Sequence, residues 1–206
     1  MIYIFGLGNP GEEYKDSRHN AGRELLQYFA KKNNFPEFDM DKKSNSLISK
    51  SEIGKEKTAL VLPETFMNRS GKSVAYFIKA PTGKKKEIKN LIVVYDDLDL
   101  PLGTIKISYN KSSGGHNGLE SIIKAVKSLE FVRIRIGVSP TTPKGKIKKP
   151  GINLPSKQAE KKVIDFILSN FSPKEKESLK KVYKIASEAL ETIVSSGRER
   201  AMNVFN

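Results

Sequence analysis

Residues 2–22 read IYIFGLGNPGEEYKDSRHNAG. The apolar run 2–5 is a short buried strand that ends at Gly6, and the loop after it decides the fold. GLGNPG (6–11) fits G-x-G-x-x-G, the loop that seats a dinucleotide pyrophosphate on a helix N-terminus. Such a loop needs its third glycine to open a helix. Here Gly11 runs into EEYKDSR, which has no apolar stripe and begins with two glutamates that would repel a pyrophosphate. Helical spacing starts only near Asn20, where Leu25, Leu26, Phe29 and Ala30 share one face. The glycines therefore serve a tight turn that presents Asn9 and Tyr14, and a nucleotide-dependent oxidoreductase is discounted.

Outward from this segment, strands and helices alternate. LIVVY (91–95) is a continuous apolar run, expected as a central buried strand. DDLDLPLG after it reads as an acidic turn, leading to a strand at 104–109. Residues 47–53 and 57–62 read as a strand pair joined by GKE, and 131–138 (FVRIRIGV) as a further strand. Ser70 is placed as the cap of a helix over 71–79. Leu119, Ile122, Ile123 and Val126 form one face of another helix. A third is expected to turn Ala159, Val163, Phe166 and Ile167 inward, and a longer one has Pro173 in its first turn and Gly197 at its end. The stretch 139–155 holds four prolines and four lysines; a basic loop of that length is functional or mobile. The pattern predicts a single α/β domain over 1–206, a twisted mixed sheet surrounded by helices, with a basic mobile loop at about 140–155 and C-terminal helices over about 156–206.

Composition narrows the function. The 206 residues contain no cysteine, which excludes disulfides, thiolate nucleophiles and zinc–thiolate sites and fits a reducing compartment. No signal peptide and no membrane-length apolar run is read, so a cytoplasmic protein without a membrane partner is expected. The formal net charge of +14 favours a polyanionic partner, although 30 of the 37 basic residues are lysines, which also simply solvate surfaces.

His19 is one of two histidines, between a polar loop and a helix start, and imidazole is the side chain best suited to take a proton near neutral pH. A carboxylate would fix its tautomer. Asp96, Asp97 and Asp99 are all candidates, provided that the strands before Gly6 and Asp96 are neighbours; the competing reading is an exposed acidic turn or a magnesium site. Asn9, Asn68 and Asn117 lie in comparable loops, and carboxamides can steady an oxyanion or hold water. Ser70 lies in N-R-S-G-K, not G-x-S-x-G. His19 and His116, far apart in sequence, form no recognised metal-ligand set, and His116 with Glu120 reads as a helix end. Neither a metal nor a cofactor is expected.

Taken together, GLGNPGEEYKDSRHNAG (6–22), PETFMNRSGKSV (63–74), VVYDDLDLPLG (93–103), SGGHNGLESI (113–122), VRIRIGV (132–138) and, more loosely, IDFILSNFSPKE (164–175) resemble the bacterial-type peptidyl-tRNA hydrolases, in that family's order and over nearly the whole chain. The resemblance implies cleavage of the ester between a peptide, or N-acylated aminoacyl group, and tRNA, recycling tRNA from prematurely released peptidyl-tRNA. It implies His19 as the water-activating base, Asp96 as its orienting partner and Asn68 as the oxyanion group. Asn9, Asn117, Tyr14 and Met67 match substrate-binding positions. Lys106, Arg135 and His116 match tRNA-facing ones.

The expected partner is tRNA, with no obligate protein partner and a monomeric state. Because Asp96 only orients and stabilises, its loss is expected to cost less than loss of the histidine. Three positions depart from the family pattern: Tyr95 for histidine, Ser17 for threonine, and Ser108 for a second basic residue, for which Lys111 is the candidate substitute. The lysines at 84–86 and 144–149 are candidate phosphate contacts. The alternative is a non-catalytic RNA-binding homologue of the same fold.

Overall fold

The computed structural model describes residues 1–82, 87–151 and 154–206; the lysines at 84–86 lie outside them. Among the described residues seven strands form one mixed sheet: β1 (Ile2–Gly6), β2 (Asp39–Asp41), β3 (Ser46–Ile53), β4 (Glu56–Pro63), β5 (Leu91–Pro101), β6 (Ile105–Tyr109) and β7 (Val132–Ser139), in the order β2-β3-β4-β1-β5-β7-β6. The central β4-β1-β5-β7 are parallel, and the outer pairings are antiparallel. The helices are α1 (Ala21–Lys32), α2 (Ser70–Phe77), α3 (Asn117–Val126), α4 (Ser156–Leu168), α5 (Pro173–Ser196) and α6 (Arg198–Phe205).

Period-two alternation in the central strands builds two cores. Ile4, Leu60, Ile92, Val94 and Ile134 pack with Leu25 and Phe29 of α1, Leu190 of α5 and Ala201 of α6. Phe5, Val61, Leu91 and Val93 pack with Val74 of α2 and Leu119, Ile122 and Val126 of α3. Each such side chain contributes about 1.5–3 kcal/mol on full burial, which explains why strands buried on both faces read as unbroken apolar runs. No described helix is long and apolar enough to cross a membrane.

Three local expectations change. DDLDLP is not a turn: β5 runs on to Pro101, with its register on β7 shifting between Asp97 and Pro101. Acidic residues are tolerated there because β7 continues beside them, Asp97 meets Arg135, and Leu98 O accepts from Ser139 Oγ at 2.7 Å. Ser70 does not cap α2: Arg69 takes the cap position, and the Ser70 hydroxyl donates to Met67 O. The expected inner face of α4 is only half-buried, and none of that helix's residues is buried.

α1 sits unusually close to the sheet. Leu7 N donates to Val94 O, Arg23 N donates to Leu7 O, and a Cβ on Gly22 would lie 2.2 Å from Val94 O. Gly22→Ala must therefore push the start of α1 outward. We expect a loss of about 1–3 kcal/mol, the usual cost of overpacking, read as a lower Tm; an unchanged Tm would show that the helix start can lift freely.

Candidate active site

β1 and β5 are adjacent, so the loop after β1 and the end of β5 meet, and the N-terminus of α3 closes on both. His19 lies in the helical turn Arg18–Asn20 just before α1. Its Nδ1 is 3.0 Å from each oxygen of Asp96, whose side chain is 2% exposed. His116 caps α3: its Nδ1 accepts from Leu119 N at 3.2 Å, and its Nε2 is 2.9 Å from Asp96 Oδ1. One carboxylate thus holds both histidines, although their distance in sequence speaks against their acting together.

These bonds determine the protons. Because His116 Nδ1 accepts a backbone N–H, its ring proton sits on Nε2 and is donated to Asp96. Burial alone pushes the Asp96 carboxyl upward, but His19 and His116 outweigh it and hold the group well below the ordinary carboxylate range. An ionised carboxylate only accepts, so His19 also donates from Nδ1. Its Nε2 has no partner among the described residues and, in the neutral ring, carries the lone pair.

His19, Asp96 and His116 place ligand-type atoms within 4.8 Å of one another. In this arrangement both nitrogens facing Asp96 carry protons and offer no lone pair to a metal. The same bonds occupy both nitrogens of His116 and make it part of the Asp96 network.

The three aspartates left open by the sequence separate cleanly. Asp96 holds the histidines, Asp97 accepts from Arg135 Nε at 2.7 Å, and Asp99 pairs with Lys149. A cavity of about 530 Å³ spans this region, lined by His19, Asp96, Asn117, Arg135, Lys111 and residues of α4. Lys106 lies outside it, exposed on β6 and opposite Arg135 in register. Ser108 is buried opposite Arg133, whose guanidinium is spent on the carbonyls of Ser112 and Leu129, so no basic group reaches the surface at either position. Tyr95 packs edge-on against His116 at 4.9 Å, and its hydroxyl is pushed up to about 12, chiefly by burial and then by Asp97.

Asn9, Tyr14, Met67 and Asn68 do not line that cavity; they form an adjoining wall. Asn9 Oδ1 accepts from Met67 N at 2.8 Å, leaving its amide hydrogens free to donate. Met67 packs so closely on Gly118 that a Cβ there would lie 2.4 Å from its sulfur. Tyr14 meets Phe66 edge to face at 6.4 Å. Asn68 and Asn117 are exposed, and neither carboxamide has a partner among the described residues.

The sequence reading missed Asn20. Its carboxamide accepts from Asn9 N at 2.8 Å and donates to Asn9 O at 2.9 Å, tying the wall to the residue after His19. Its place beside His19 was the available signal, but nothing in spacing or charge marks an asparagine that grips a backbone eleven residues away.

A model of the family described as peptidyl-tRNA hydrolase matches residues 3–206. A protein of that name from Herpetosiphon aurantiacus is 40% identical over 206 residues, covering 100% of this chain and 90% of the relative. One from Dehalococcoides mccartyi is 39% identical with both chains fully covered. The crystal structure of peptidyl-tRNA hydrolase from Acinetobacter baumannii superposes with a TM-score of 0.82 at 29% identity, covering 100% of this chain and 96% of the other. The family model, the relatives and the shared fold agree: the chain belongs to the peptidyl-tRNA hydrolase family, a family of enzymes.

Proposed function

We propose that this hydrolase cleaves the ester between the peptide, or N-acylated aminoacyl group, and tRNA, with His19 as general base. The observation that carries the reading is that His19 lines the cavity with its Nδ1 3.0 Å from both Asp96 oxygens, which leaves Nε2 as the ring nitrogen without a partner among the described residues. His19 Nε2 takes a proton from water as the oxygen attacks the ester carbonyl. The tetrahedral intermediate collapses, the ribose oxygen leaves, and His19 returns the proton to it. The free Asn68 carboxamide suits the oxyanion. Asn9 and Asn117 donate to the peptide or hold the water, with Tyr14 and Met67 flanking. Lys106, Arg135 and Lys111 suit backbone phosphates at the tRNA acceptor end, and Lys144, Lys146 and Lys148 extend that charge.

The test is release of free tRNA from N-acylated aminoacyl-tRNA by the purified protein. Turnover should be unaffected by a chelator. Raising salt from roughly 50 to 200 mM should weaken tRNA binding about a hundredfold if four phosphates are neutralised. Tight tRNA binding without turnover would instead favour the non-catalytic RNA-binding homologue, and a flat salt response would remove the phosphate contacts.

A further inference from the structure

α4 has no buried residue, yet its Val163, Ile164 and Ile167 line the cavity. A helix with few buried apolar contacts has low local stability and depends on its remaining attachments. At its C-terminal end the chain wraps around Arg18, the neighbour of His19. Arg18 is 7% exposed, and its Nη1 donates to Ser169 O, Ser169 Oγ and Asn170 O at 2.8–3.1 Å. Its Nη2 donates to both oxygens of Glu175 at 2.8 and 2.9 Å, and the guanidinium lies over the rings of Phe166 and Phe171. The backbone adds Arg18 N to Ser169 O and Phe171 N to Asp16 O. Asp16 itself takes φ 69°, with its N–H donated to Glu24. A left-handed non-glycine residue persists only where its surroundings enforce it.

We propose that Arg18 is a positioning residue that fixes α4 as a wall of the substrate cavity, linking that wall to the turn that carries His19. The inference rests on the ester-hydrolase reading for its kinetic consequence only. A planar fork is required: lysine keeps the charge but cannot meet the two carbonyls and Glu175 together. Glu175 also belongs to the capping box of α5 with Ser172. Glutamine supports such a box, so Glu175→Gln weakens the clasp and spares the cap.

Hydrogen–deuterium exchange on the whole protein tests this independently of turnover. In both Arg18→Lys and Glu175→Gln, exchange over 156–168 should speed up while β1 and β5 keep wild-type protection. With N-acylated aminoacyl-tRNA, KM should rise about three- to tenfold with kcat within about twofold, the signature of lost binding rather than lost chemistry. Ile167→Ala combined with Arg18→Lys should raise KM by less than the product of the single effects, since both act through one wall. Unchanged exchange in α4, equal loss of protection in β1 and β5, a fall in kcat at constant KM, or multiplicative KM effects would each overturn the proposal. If the wild type itself fails to release tRNA, the functional reading fails and the exchange result still decides the clasp.

Discussion

His19→Asn should lower the rate of tRNA release by about 10²–10⁴-fold, the range that a positioned base contributes, while tRNA affinity stays within about twofold because no phosphate-facing charge is lost. Asparagine is a better test than alanine. His19 and Asp96 are both buried, and alanine would leave the Asp96 carboxylate with one donor fewer, at about 1–3 kcal/mol. The asparagine amide can still donate to Asp96 but offers no basic nitrogen, so a loss of rate is then a loss of chemistry. Single-turnover release with saturating enzyme reads the step directly. Turnover near the wild-type rate in a folded His19→Asn protein would show that another group takes the proton.

Asp96→Asn should come close to that loss, up to about 10⁴-fold by analogy with the same exchange in a serine-protease triad. The sequence alone suggests a smaller effect, on the view that an orienting group is expendable when the base remains. His116 changes this expectation. Its Nδ1 is tied to Leu119 N, so its Nε2 must donate toward residue 96. An asparagine there would turn its oxygen to His116 and its NH₂ to His19. Although Oδ1 lies 3.0 Å from His19 Nδ1 as well, the NH₂ in place of Oδ2 would face Nδ1–H at the same distance, and this favours the tautomer with the ring proton on Nε2, which removes the lone pair that water needs.

The same variant has a stability signature. The folded Asp96 carboxyl is held low; a depressed acid stabilises above its ordinary range, and that contribution is lost as pH falls through the folded value. The Tm gap between wild type and Asp96→Asn should thus be widest near neutrality and narrow only in strong acid. A modest rate loss with no such gap would mean that His19 is oriented by something other than Asp96.

The fold was legible where one rule governed a segment. LIVVY is buried on both faces, and α5 carries its cap, its first-turn proline and its terminal glycine in the sequence. Legibility failed where tertiary partners override local signals. DDLDLP looks like a turn, yet β7 pairs with it, and Arg135 and Lys149 take up Asp97 and Asp99. The apolar stripe of α4 looks like a core face, yet it borders a cavity. His19, Asn9 and the three aspartates after LIVVY could be picked out because their residue types announce chemistry, but only the resemblance singled out Asp96 among the three. Asn20, Arg18 and the true partner of His116 could not, because their roles exist only in the distances the fold creates.

The shared carboxylate also determines how charge is counted during the reaction. With both rings neutral before attack, the buried trio of Asp96 and the two histidines carries one negative charge. Low-polarity surroundings make such a charge costly, and the two rings more than offset that cost, since the carboxyl is held low. When His19 takes the proton from water, the trio becomes neutral overall, an imidazolium beside a carboxylate, as negative charge appears on the ester oxygen outside it. The proton transfer therefore turns a single buried charge into a buried ion pair instead of creating an isolated one.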